Sequence, residues 1–186
     1  MTCTIDQSRV TLRNLKVAEF ASEETMCFSA TVLFDGVPIA DARNDGHGGC
    51  TFVRPRKGAA DRLAEAEVFA KSLPALVIER DDPKEPSRKL AIDITLDFLV
   101  DHLAGELHDD RKMRLAFNRD IANKVLYIRA DRLCFLRRVK LKEIRDRNAL
   151  FALVREKCGT KVVILNELAR EEAFALWSKH VGRDSG

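Results

Sequence analysis

Met26-Cys27-Phe28-Ser29-Ala30-Thr31-Val32-Leu33-Phe34-Asp35-Gly36-Val37 is the stretch that decides the fold. Met26, Phe28, Ala30, Val32 and Phe34 fall on one side, Cys27, Ser29, Thr31 and Leu33 on the other, which is the period of two that a strand requires. Asp35-Gly36 is a strong hairpin signal, because both central positions of the favoured turn need positive φ. The spacing predicts a return strand from Val37 to Arg43 and a further strand from Cys50 through Arg54 to Pro55. Upstream, Val10 to Phe20 reads as an opening strand and turn, followed by the polar break Ala21-Ser22-Glu23-Glu24-Thr25. The N-terminal part is therefore expected to be an antiparallel meander.

Working outward, Ala59 to Ser72 predicts an amphipathic helix with Leu63, Ala66, Glu67, Phe69 and Ala70 along its stripe, stopped by Pro74. Such a helix is expected to cover the apolar face of the meander. Leu76-Val77-Ile78 reads as a short strand, and Asp81-Asp82-Pro83-Lys84-Glu85-Pro86-Ser87 as a loop and lobe boundary. Two helices are expected next, one marked by Leu96, Leu99, Val100, Leu103 and Leu107, the other from Arg111 to Ala122 with Asp109-Asp110 at the junction. Val125 to Arg129 and Leu133 to Lys140 predict a hairpin, then a helix ending at Gly159, a strand over Lys161 to Leu165, and a last helix from Glu167 to Lys179. The fold class is α+β: a meander with a glycine-rich loop and a covering helix, a helical segment, and a ββαβα C-terminal portion. The lobes expected are 1–80 and 88–186, or one compact domain over 5–181.

Hydrophobic residues at 46% and charged residues at 33% suit a globular core with a solvated surface. No apolar run approaches the roughly 20 residues of a membrane helix. The first residues lack the basic and apolar regions of a signal peptide, so a cytoplasmic location is expected. The five cysteines (3, 27, 50, 134 and 158) form no CxxC pair, which argues against a disulfide framework and a structural zinc site. The net charge of +3 hides a segregation: residues 58–110 carry six basic and thirteen acidic side chains, and residues 111–161 carry sixteen against five. That pattern implies either a charged face for a partner or neutralisation of one segment by the other.

Asn44-Asp45-Gly46-His47-Gly48-Gly49-Cys50 is the candidate site. Successive backbone N–H groups in such a loop can cradle phosphate or carboxylate, with His47 as acid/base and Asp45 to orient it. Equally, the glycines satisfy turn geometry and Asn44-Asp45-Gly46 makes an Asx turn. A phosphate loop would need Lys-Ser/Thr and a helix behind the glycines, whereas a strand follows here. His102 and His108 lie among Asp97, Asp101, Glu106, Asp109 and Asp110, without HExxH spacing. The basic segment 111–147, with Tyr127 and Phe135 interleaved, reads as a phosphate-binding surface or as charge neutralised within the fold.

Leu12-Arg13-Asn14-Leu15-Lys16, Ala18 to Thr25, Cys27 to Val32 and Asn44 to Gly49 resemble a group of short proteins found on phages, prophages and plasmids of proteobacteria. Asn123 to Tyr127 and Lys161 to Leu168 resemble strand-entry segments of the same group. The resemblance implies an accessory gene of a mobile element, a setting in which many products act against host defence, and carries over no catalytic residue. The expected function is a non-enzymatic binding protein that engages a host protein or a protein–nucleic-acid complex. Its contacts are expected at Asn44, Asp45, Gly46, His47, Gly48, Gly49, Arg54, Arg56 and Lys57, and at Arg137, Arg138 and Lys140, with no metal and no cofactor. The alternatives are a small enzyme acting on a nucleotide or phosphoester through Asp45 and His47, and a nucleic-acid binder through 111–147.

Overall fold

The structure is a computed structural model that describes residues 5–79, 89–159 and 161–181. Strands β1 (Val10–Val17), β2 (Phe28–Phe34), β3 (Val37–Asn44) and β4 (Phe52–Pro55) pair antiparallel in the order β1-β2-β3-β4, the expected meander. Asp35 and Gly36 both take positive φ, 50° and 78°, so the β2–β3 turn has the handedness that matches strand twist. Val32 pairs with Ala40 and Leu33 with Pro38, which leaves Ile39 as a bulged residue, fully buried. Helix α1 (Ala60–Ser72) buries Leu63, Ala66 and Ala70 in the same core as Val10, Phe28, Val32 and Phe34; Glu67 of the expected stripe is exposed.

Strands β5 (Leu76–Glu79) and β6 (Lys89–Ile92) form a two-stranded antiparallel pair; β6 has too short an apolar run to stand out in the sequence. One helix, α2 (Leu96–Asn123), replaces the two expected over this region. Asp109 and Asp110 are exposed mid-helix residues and not a junction, since neither proline nor a glycine pair interrupts the backbone there. Asp110 accepts from Arg114 one turn on, at 2.9 Å.

The chain divides into two compact units, Met1–His108 and Asp109–Gly186, within α2. The first extends past β5 and β6 because Ile94, Leu96, Leu99, Val100 and Ala104 complete the core of the meander. The segment 81–87, expected as a boundary, lies outside the described residues.

In the second unit β7 (Leu126–Arg129), β8 (Arg132–Phe135) and β9 (Val163–Ile164) make an antiparallel sheet in the order β8-β7-β9. Helix α3 (Arg147–Cys158) starts with Asp146 accepting from Ala149 N and stops at Gly159, φ 95°. Phe151 and Val154 of α3 pack with Val125, Val162 and Ile164. Helix α4 (Arg170–Val181) places Ala173 and Trp177 with Phe117, Leu126 and Leu165 in a separate cluster. Strand alternation sends Val125 and Leu126 to opposite faces, so α3 and α4 cover different sides of the sheet. Asn166 joins the end of α2 to β7: its Nδ2 donates to Ile121 O (3.1 Å) and Lys124 O (3.0 Å), and its Oδ1 accepts from Leu126 N (2.8 Å). Among the described residues no helix is long and apolar enough to cross a membrane.

Candidate functional site: a latched tip and an open sheet face

The glycine loop joins β3 to β4, and its first residue does most of the fixing. Asn44 is 3% exposed; its Oδ1 accepts from Gly46 N and from Thr25 Oγ1, each at 2.9 Å, and its Nδ2 donates to Thr51 Oγ1 at 3.1 Å. Thr51 donates in turn to Asp101 Oδ1 on α2. Burial pushes the Asp101 carboxyl up, the Thr51 hydroxyl opposes this, and Asp97 adds a further push. The Gly46 carbonyl accepts from the backbone N–H groups of Glu23 (3.0 Å), Glu24 (2.9 Å) and Thr25 (3.2 Å). Gly46 holds φ 87°, and a Cβ there would overlap the Ala21 carbonyl oxygen and stand 2.9 Å from Cys27 Cβ. Residues 23–25 are thus locked to Gly46 by main-chain bonds, with the Asn44 side chain adding a bond to Thr25. On the lock stands a 3₁₀ turn, Glu19–Ala21, whose Phe20 is 95% exposed.

The side chains expected to do chemistry are not brought together. Asp45 accepts from Arg43 Nε at 2.6 Å, while His47 Nδ1 lies 3.2 Å from Glu23 Oε2, so Asp45 does not orient His47. A Cβ on Gly48 would lie 2.5 Å from Glu24 Oε2. Carboxylates of Glu23 and Glu24 beside the loop oppose a bound phosphate. The Asx turn of the alternative reading is present. His102 and His108 also part company: His102 Nε2 is 3.3 Å from Glu106 Oε1, and His108 Nε2 is 3.1 Å from Glu19 Oε1. Among the described residues no three His, Cys, Asp or Glu side chains converge as a metal site.

The outer face of the four-stranded sheet gathers another set. Register places Lys16, Ser29, Arg43 and Phe52 in one cross-strand row, and Arg13, Thr31, Asp41 and Arg54 in the next. All of them except Arg13 border a cleft of about 770 Å³ that Asn14 and Asp45 also line. Asp41 is engaged by Arg56 at 2.7 Å, which holds its carboxyl below the usual range. Of the expected contacts, Arg54 lines this cleft, Arg56 borders it through Asp41, and Lys57 is exposed just beyond β4. Arg13, Lys16 and Arg54 make no ion pair among the described residues. Phe52 is 63% exposed, because its neighbour Val53 takes the inward position.

The basic segment is mostly solvated. Arg114 pairs with Asp110 and Glu171, Lys124 with Asp120, and Lys140 with Glu143. Arg129, Arg132, Arg137, Arg138, Lys142, Arg145 and Arg147 are exposed and make no ion pair among the described residues. Tyr127 packs into the core beneath α3, whereas Phe135 is 48% exposed with Lys124 Nζ 5.0 Å from its ring centre.

Phe20, Phe52, Arg13, Asn14 and Lys16 were not singled out by sequence. Phe52 carried a signal, its place opposite Val53 in an alternating strand; Phe20, at the end of the opening strand and turn, carried none. The first unit is an α+β scaffold with an acidic, aromatic-tipped end and a cationic sheet face. Compared with family models, curated proteins and solved structures, the chain matches none of them.

Proposed function

We propose that the chain is a non-enzymatic binding protein of a mobile element, and that it engages a host protein or a protein–nucleic-acid complex through the tip built by residues 19–25 and 44–50. The observation that supports this is Phe20, 95% exposed on the Glu19–Ala21 turn just before Glu23, Glu24 and Thr25, whose three N–H groups bond to the Gly46 carbonyl. A large apolar ring held in water on an ordered turn costs little further entropy when a partner covers it, and such aromatics carry much of the energy of an interface. Glu23 and Glu24 are exposed on the same tip. The matching surface is an apolar pocket with a cationic rim, the kind of rim that nucleic-acid-binding proteins present. His47 belongs to the contact through its pairing with Glu23, not as an acid or base.

Phe20→Ala is expected to leave the thermal melting curve unchanged and to weaken capture of the partner from a proteobacterial lysate by about thirtyfold. Capture that survives nuclease and is lost in Phe20→Ala supports the protein contact; capture unaffected by Phe20→Ala overturns it. A second reading, nucleic-acid binding through the second unit, is favoured by seven exposed cations between Arg129 and Arg147 that make no ion pair among the described residues. Capture abolished by nuclease, and by Arg137→Glu with Arg138→Glu, would identify it.

A further inference from the structure

An aromatic ring on the water side of a strand is apolar surface that folding leaves unburied. Phe52 is such a ring, and Arg43 is its cross-strand partner. The row that holds them continues across β2 to Lys16, spanning roughly 14 Å over three strand spacings. The carboxylates on this face are already engaged, Asp41 by Arg56 and Asp45 by Arg43. Arg13, Lys16 and Arg54 retain their charge without an ion-pair partner among the described residues. Lys16 and Arg54 line an open cleft along which Ser29 and Asn14 offer polar groups, and Arg13 stands opposite Thr31 in the adjoining row.

We infer that this face is a platform for single-stranded nucleic acid, with a base stacked on Phe52 and neighbouring phosphates on Lys16, Arg13 and Arg54. Stacking on an exposed ring is worth most to a base that has left a duplex, and it tolerates any base because each has a π-face. Phosphates supply the negative charge that the unpaired cations lack, and do so at regular spacing along the strand. An acidic peptide would satisfy the cations and leave Phe52 without a role. Phe52, Lys16, Arg13 and Arg54 lie on strands β1 and β4, outside the tip segments 19–25 and 44–50, so the platform does not depend on the tip's contact with a protein.

The test is fluorescence anisotropy of the full chain with labelled oligothymidylate and oligouridylate of about 12 nucleotides, a duplex of the same length, and a polyglutamate competitor, from about 50 mM salt upward. Single strands are expected to bind at least about tenfold more tightly than the duplex. Phe52→Ala and Phe52→Leu are each expected to weaken single-strand binding about tenfold with an unchanged salt slope. Lys16→Ala with Arg54→Ala is expected to lower the slope of log Kd against log salt by about 1.4, two phosphates at the single-strand value. Ultraviolet cross-linking of a 5-iodouracil oligonucleotide to the unmutated chain should label the peptide that contains Phe52. The proposal is overturned by absence of single-strand binding, by binding that ignores both Phe52 variants and falls only in Arg137→Ala with Arg138→Ala, or by polyglutamate that binds as tightly as the oligonucleotides.

Discussion

Gly46→Ala lowers the stability of the first unit by roughly 4 kcal/mol, the largest effect expected of any single methyl group in the chain. Three costs combine. A side chain at φ 87° is strained by about 1–2 kcal/mol. The new Cβ meets the backbone oxygen of Ala21, which cannot rotate away as a flexible side chain would, so the turn must move at a further cost of about 1–3 kcal/mol. That movement loosens the hydrogen bonds from Glu23, Glu24 and Thr25 to the Gly46 carbonyl, each contributing about 1 kcal/mol. Gly49→Ala is the control, with φ 98° but nothing within 4 Å of its Cβ, and is expected to cost about 1 kcal/mol. The first unit holds neither the single tryptophan nor the single tyrosine, so urea unfolding is followed by far-ultraviolet circular dichroism. Equal losses for the two variants would mean that the close approach to Ala21 does not hold the tip.

Phe117→Ala removes about 3–5 kcal/mol from the second unit. Phe117 is 1% exposed, with ring centres 5.4 Å from Phe174 in an edge arrangement and 5.6 Å from Trp177. Removing it leaves a cavity bounded by two further rings, and edge contacts of this kind add to what area burial alone contributes. Trp177 is the only tryptophan, so its fluorescence during urea unfolding reports this cluster directly. A loss below about 1 kcal/mol would contradict the packing described.

Much of the architecture was legible because local signals agreed with each other. Alternation over Met26 to Phe34 and the Asp35-Gly36 turn defined the meander, and the bulge at Ile39 did not disturb it. Gly159 marked the end of α3 through the positive φ it adopts. The errors arose where polarity was taken for a break. Asp109-Asp110 sits on an exposed side of a continuous helix, where charge costs nothing and Arg114 supplies a partner. Lys161 to Leu165 yielded a strand of only Val163–Ile164, with Leu165–Glu167 turning as 3₁₀ so that Asn166 could cap α2.

The site was legible as a place and not as a chemistry. The glycines pointed to the loop because close approach requires them, yet the approaching group is the backbone of Ala21, twenty-five residues earlier in the chain. Spacing alone could not show that Asp45 turns to Arg43 and His47 to Glu23. Phe20 was hidden because an exposed aromatic has no periodicity to betray it. The cationic rows of the sheet emerge only when register places β1, β2, β3 and β4 side by side.

The central claim is that the glycine loop serves as a latch that holds residues 19–25 in order for binding. Amide hydrogen exchange of the free protein tests it most directly. Exchange at Glu23, Glu24 and Thr25 is expected to be slowed by roughly two orders of magnitude or more relative to an unstructured peptide, and Gly46→Ala should release those amides while those of β2 stay protected. Exchange of the three amides at unstructured rates in the unmutated protein would contradict the account, because the tip would then have no order to offer a partner.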